Sequence, residues 1–347
     1  MFDDDILIMK GEEILSLLDG KELEVIDIVR LAYMAHGLGD SSLPHSTFLR
    51  FPDNPRNRII ALPAYLGADF EVAGIKWVSS FPGNVESGKD RASAVVILSS
   101  LATGRPEAIM EGSIISAKRT AASAALAAQQ LHKGQDATTT GLVGCGLIGF
   151  EMVRFLLAAR PDIKRLLLFD MDAGRAEQFK EKCAATFGQL EIEVAPSISA
   201  VLRAAPLVAL ATTAIQPHIP DLSECLPGST ILHISLRDIM PEAVLACDNV
   251  VDDADHVSRA QTSIHLAEQL LGGRDFIRCT LADVLHGTAA PKSDPRSITV
   301  FSPFGLGVLD IAVGQYVRDL GLRQGLGTVI NSFLPSFGVA KTKAHYS

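Results

Sequence analysis

Apolar residues in this chain recur with a period that changes along its length, and the changes mark its parts. Between residues 12 and 38, Ile14, Leu15, Leu17 and Leu18, then Val25, Ile28, Val29, Leu31 and Ala32, follow a near-3.6-residue repeat. That predicts helix, with a break at Asp19-Gly20 and a stop at Gly37 and Gly39. Shorter β-forming runs follow at 43–52, 58–66, 72–79 and 93–98, parted by turn residues such as Asp53-Asn54-Pro55. They predict a mixed sheet in a domain of its own. Residues 112–131 form an alanine-rich helix carrying Lys118 and Arg119, and 132–136 reads as a hinge.

From residue 138 the pattern alternates. Strands are predicted at 138–143, 165–169, 192–194, 207–211, 231–235 and 249–252, with helices opening at 147, 173 and 199. This is the pattern of an α/β fold, a Rossmann-type doubly wound parallel sheet. Residues 301–307 read as a loop, 308–320 as a helix and 340–347 as a frayed tail.

The first strand of that sheet runs into Gly144-Cys145-Gly146-Leu147-Ile148-Gly149, a G-x-G-x-x-G that opens a helix. Gly144 permits the tight turn, Gly146 a close approach of the backbone to a pyrophosphate, and Gly149 the packing of helix on strand. The amides from Leu147 onward then face the phosphates with the positive helix end. Asp170 ends the next strand, where an acid receives the ribose hydroxyls and repels a 2′-phosphate. Arg175, five residues on, could neutralise such a phosphate, yet the acid favours NAD over NADP.

A net charge of −9 argues against nucleic acid and anionic membranes as partners, but not against an anionic substrate held in a local cationic pocket. The acidic start MFDDDILIMK is unlike a signal peptide, and no apolar run reaches a membrane span, so a cytoplasmic protein is expected. Five scattered cysteines without a C-x-x-C read as reduced thiols, and no H-x-x-x-H pair points to a metal.

Ligands of parallel sheets sit at the strands' carboxyl ends, so Thr212, Thr213 and Ser235 should face the cofactor. Asp238, just past a buried strand, is a general acid/base candidate; a helix N-cap before Ile239 is its plain alternative. Lys76 lies within the apolar AGIKWVSS, where an ammonium needs a partner unless it snorkels from an edge strand. Arg119, alone with Lys118 among small residues, could grip a carboxylate with its guanidinium fork. Arg50, Arg58 and Arg91 are further cation candidates, and His45 is a weaker polar one.

Taken together, GIKWVSSFPGN, SAKRTAASA, GLVGCGLIG, SLRD and FSPFGLGVLDIA resemble the ornithine cyclodeaminase/μ-crystallin family along essentially the whole chain. SLPHSTFLRFPDNPRNRIIALPAYLG, FPGNVESGKDRASAV and TGRPEAIMEGSIISAKRTAASA resemble its siderophore-pathway branch. Those enzymes form 2,3-diaminopropionate and 2-oxoglutarate from N-(1-amino-1-carboxyethyl)-glutamate with NAD, for siderophores or other secondary metabolites. The resemblance implies a homodimer in which residues 1–132 plus 308–347 form the substrate-binding and dimerisation domain and 133–307 the NAD-binding one. It implies that Arg119, Lys76 and an arginine ahead of the Pro63 strand, Arg50 before Arg58, anchor a carboxylate of a multi-carboxylate amino acid. It also implies that Asp238 acts on the amine. Cyclodeaminases carry a glutamate in the strand ahead of the lysine; IIALPAY offers Ile60 and Ala61 instead, which favours the narrower branch. Ornithine cyclodeamination, a ketimine/opine-type reduction and a crystallin-like NAD(P)-binding protein of little activity are the alternatives.

Overall fold

The computed structural model describes residues 4–334. The first half builds a mixed sheet from β1 (Ile6–Met9), β2 (Ser41–Ser42), β3 (Thr47–Phe51), β4 (Asn54–Leu66), β5 (Val72–Ser80), β6 (Ala92–Ser99) and β7 (Pro106–Glu111). Its helices are α1 (Gly11–Leu17), α2 (Glu22–Gly37) and α3 (Ser113–Leu131), so the predicted break near Gly20 separates two helices. The second half holds β8 (Thr139–Val143), α4 (Leu147–Ala159), β9 (Arg165–Phe169), α5 (Ala173–Thr186), β10 (Glu191–Val194), α6 (Ile198–Ala204), β11 (Leu207–Leu210) and β12 (Thr230–His233). It continues with α7 (Pro241–Leu245), β13 (Asp248–Val251), α8 (Ala254–Val257), α9 (Ser263–Leu271), β14 (Ile277–Thr280), α10 (Leu281–His286) and β15 (Thr299–Ser302). The strand order is β10-β9-β8-β11-β12-β15-β13-β14, parallel throughout. The order reverses between β8 and β11, which opens a crevice at their carboxyl ends.

Two final elements return to the first sheet. Helix α11 (Gly307–Gln324) lies on β4, β5 and β6, and β16 (Thr328–Ile330) pairs antiparallel with β1. Close packing needs small residues here: a Cβ at Gly74 would meet Ile97 O at 2.3 Å, and one at Gly307 would meet Leu62 O at 3.1 Å.

Several elements differ from the sequence reading. β1, β7, β14 and β16 are too short to show a period, and pairing with neighbours defines them. Residues 301 and 302, read as loop, belong to β15, which fills the sheet between β12 and β13. β12 stops at His233, leaving Ser235 in the turn beyond it. The 132–136 link is pinned: His132 is fully buried, its Nδ1 2.9 Å from Thr230 Oγ1, while Arg160 donates to the carbonyls of His132 and Gln135. The predicted tail, 340–347, lies outside the described residues.

Candidate active site

The glycine turn sits at the sheet's switch point. Gly144 has φ +100°, and a Cβ there would stand 2.6 Å from Ala211 O; at Gly149 it would stand 2.5 Å from Gly144 O. Both positions therefore exclude side chains for internal reasons. Gly146 is different. A Cβ there would touch nothing, so its hydrogen keeps space open above the turn. No side chain caps α4 at Gly146, which leaves the first-turn amides of Leu147, Ile148 and Gly149 for an anion. Asp170 takes Cys145 N–H at 2.9 Å and Asp172 N–H at 3.0 Å, which aims its carboxylate at the turn. Arg175 stands 3.5 Å from Asp170 and 3.6 Å from Asp172. Open space, free amides and an acid beside them fit a dinucleotide with unphosphorylated ribose hydroxyls.

Asp238 is wholly buried. The hydroxyls of Thr212 and Ser235 donate to its carboxylate, and His233 Nε2 lies 3.3 Å from Oδ2. Burial pushes the carboxyl up, but His233 and the two hydroxyls outweigh it and hold it at about 2. Asp238 is therefore ionised at neutral pH. It does not cap the next helix, whose N-cap is Met240. Thr212 and Ser235, expected at the cofactor, spend their hydroxyls on Asp238, while Thr213 is exposed.

Lys76 occupies an interior strand, not an edge, and is 3% exposed. Its ammonium stands 2.8 Å from Asp310 Oδ2 and donates to Ser116 Oγ at 3.0 Å. Arg119 Nε donates to the other oxygen of Asp310 at 2.9 Å. One buried carboxylate thus faces two cations, with excess positive charge in a dry place. Burial first, then repulsion by Arg119, lowers the Lys76 ammonium to about 8 against the pull of Asp310. Arg119 also packs on the backbone of Gly305, where a Cβ would meet its Nη1 at 2.8 Å. Asp252 fixes that loop by accepting the amides of Phe304 and Gly305, each at 2.8 Å; burial raises it to about 6.

The other arginines gather at the sheet's open end. Arg50 and Arg58 are register partners, Arg58 faces Ser80 across β5, and Arg91 donates to Ser80 Oγ at 3.0 Å. A cleft of about 500 Å³ opens between Phe48 and Arg50 on one side and His256, Ala260 and Phe304 on the other. The His45 ring lies near it, its centroid 5.0 Å from that of His256 and its plane tilted by 51°. Asp310, Asp252, His233 and Arg237 were not singled out from sequence. The signals were present: an acid in the apolar GVLDIA, and an arginine inside SLRD.

A parallel dinucleotide-type sheet facing a mixed sheet with buried cations makes this a Rossmann-type α/β protein with a cleft between its two halves. The pattern of the ornithine cyclodeaminase/mu-crystallin family matches residues 12–324, and the chain belongs to that family. It is 28% identical over 316 residues to the N-((2S)-2-amino-2-carboxyethyl)-L-glutamate dehydrogenase of Staphylococcus aureus, covering 89% of this chain and 93% of that one. The structure of Thermococcus litoralis Delta(1)-pyrroline-2-carboxylate reductase in complex with NADH and L-proline is similar at a TM-score of 0.87 and 25% identity, over 93% of this chain and 99% of that one. An archaeal alanine dehydrogenase dimer with bound NAD is similar at 0.84 and 26%, over 94% and 99%.

Proposed function

We propose that this chain is an NAD-dependent amino-acid dehydrogenase acting on a CH–NH bond, with N-(2-amino-2-carboxyethyl)-glutamate as substrate and 2-oxoglutarate and 2,3-diaminopropionate as products. One observation carries the substrate class. Arg50, Arg58 and Arg91 supply cations beyond the Lys76–Arg119 pair, more than a monocarboxylate amino acid needs. The 2-amino-2-carboxyethyl form corrects the isomer named from sequence. A 1-amino-1-carboxyethyl arm puts both nitrogens on one carbon and cannot release a 2,3-diamine.

Gly144, Gly146, Leu147, Ile148, Gly149 and Asp170 hold the dinucleotide, which supplies the hydride acceptor for the glutamate-derived α-carbon. Lys76 and Arg119 anchor the adjacent carboxylate. Losing hydride turns the secondary amine into a cationic imine, which the ionised Asp238 stabilises. With its carboxyl held at about 2, Asp238 is a poor proton carrier; Lys76, near 8, suits proton exchange with the amine and the attacking water. The secondary amine gives up one proton through Lys76 before hydride leaves; water then adds to the imine carbon, its protons pass to the nitrogen, and the carbon–nitrogen bond breaks as the carbonyl forms.

The chain acts as a homodimer through the open face of the mixed sheet, where Leu49, Tyr65 and Trp77 are exposed opposite the Lys76 face. Purified protein with NAD and N-(2-amino-2-carboxyethyl)-glutamate should form NADH and both products in equal amounts. Proline and ammonia from ornithine, without net NADH, would replace this reading with cyclodeamination.

A further inference from the structure

The mixed sheet carries its cations in a row. Lys76 and Ser80 share a face of β5, and Arg58 and Arg50 continue that face across β4 and β3. Lys76 and the Arg58–Ser80 pair are about 13 Å apart along the strand. The near end is neutralised in part by Asp310. At the far end, among the described residues, Arg50, Arg58 and Arg91 have no carboxylate within salt-bridge distance. Arg58 Nε is buried without a partner.

A fourth guanidinium reaches this end from the other sheet. Arg237 Nη2 donates to Ala260 O at 2.7 Å, and Ala260 and Arg50 line the same cleft. The two turns that present it are strained: Leu236 has φ +70°, Ala260 +53° and Gln261 +55°. Arg58 is lowered by burial and then by repulsion from Arg237, Arg91 and Arg50, in that order. Three guanidiniums without a carboxylate partner, and a fourth, Arg237, whose nearest counter-charge is Asp238, fit an anionic ligand group.

We infer that Arg237 closes a second anion subsite with Arg50, Arg58 and Arg91, which takes a carboxylate remote from the reacting carbon and makes the chain selective for dicarboxylate over monocarboxylate amino acids. This rests on the reading of the cleft as the substrate site. The subsite draws on both halves of the molecule, and Arg237 precedes Asp238, so filling it also fixes the turn that holds Asp238. Arg237 is a specificity-determining residue.

The test is calorimetric binding of glutarate and of butyrate to the NAD-loaded protein, for wild type, Arg237→Gln, Arg237→Lys and Arg50→Gln. Wild type should prefer glutarate by about tenfold or more. Arg237→Gln should abolish the preference with butyrate and NAD affinity unchanged, Arg50→Gln should abolish it by weakening glutarate binding more than butyrate binding, and Arg237→Lys should restore part of it. No preference in wild type, or a preference that survives either glutamine variant, overturns the inference. If Arg237→Gln does not fold, Arg50→Gln on its exposed strand decides alone. A preference that depends on Arg237, with no NADH from N-(2-amino-2-carboxyethyl)-glutamate, leaves the subsite standing and removes the proposed substrate.

Discussion

Arg119 Nε donates to Asp310 Oδ1 at 2.9 Å across 191 positions of sequence, and Lys76 takes the opposite oxygen at 2.8 Å. The last long helix thereby supplies the counter-charge for cations of the first sheet. Asp310→Asn leaves two buried cations facing each other and should cost about 3–5 kcal/mol, as breaking a buried pair does. Urea unfolding of the two proteins measures it. A variant as stable as wild type would mean that the pair is not what holds α11 on the sheet.

Lys76 gives a pH dependence of definite sign. Its folded value, about 8, lies below the ordinary 10.5, so between these values the unfolded chain binds more protons. This group's contribution is least favourable below pH 8, improves as the pH rises from there towards 10.5, and is constant beyond. The unfolding free energy at pH 9.5 minus that at pH 7 should be smaller in Lys76→Met than in wild type.

Asp238 behaves oppositely. Its folded value, about 2 against 3.8, makes its stabilisation fully present above pH 4 and lost as the pH falls through 2. Asp238→Asn should bind NAD normally while turnover falls by about a hundredfold or more, the scale of losing a charge aimed at a developing cation. Calorimetric titration with NAD and NADH formation separate the two effects. Normal turnover would remove Asp238 from the chemistry.

The two glycines of the turn should fail differently. Gly149→Ala drives a Cβ to 2.5 Å from the Gly144 carbonyl and should lower the melting temperature of the free protein by several degrees. Gly146→Ala meets nothing in the free protein, so its melting temperature should hold while NAD affinity falls about tenfold or more. Unchanged NAD affinity in Gly146→Ala would place the pyrophosphate elsewhere.

Much of this was written locally. The alternation after residue 138, the glycine turn and Asp170 lie within one βαβ unit, so near neighbours in sequence define them, and the structure has them where the pattern put them. The apolar context of Lys76 likewise announced a cation that needed a partner, and it is buried; Arg119, read as a carboxylate anchor, is buried as well. What their partners are was beyond local reach. Asp310 meets them only because α11 folds back onto the first sheet, and the hydroxyls of Thr212 and Ser235 meet Asp238 only because β11 and β12 are neighbours. Arg237 holds the Ala260 carbonyl, and Ala260 comes to line one cleft with Arg50 of β3 only when the two halves face each other. Residue types and periods set which groups the chain carries and which it must bury. Which charge neutralises which, and which is left free for a ligand, depended on distances closed by the tertiary fold, because Coulomb interactions and hydrogen bonds act over ångströms in space and not along the chain.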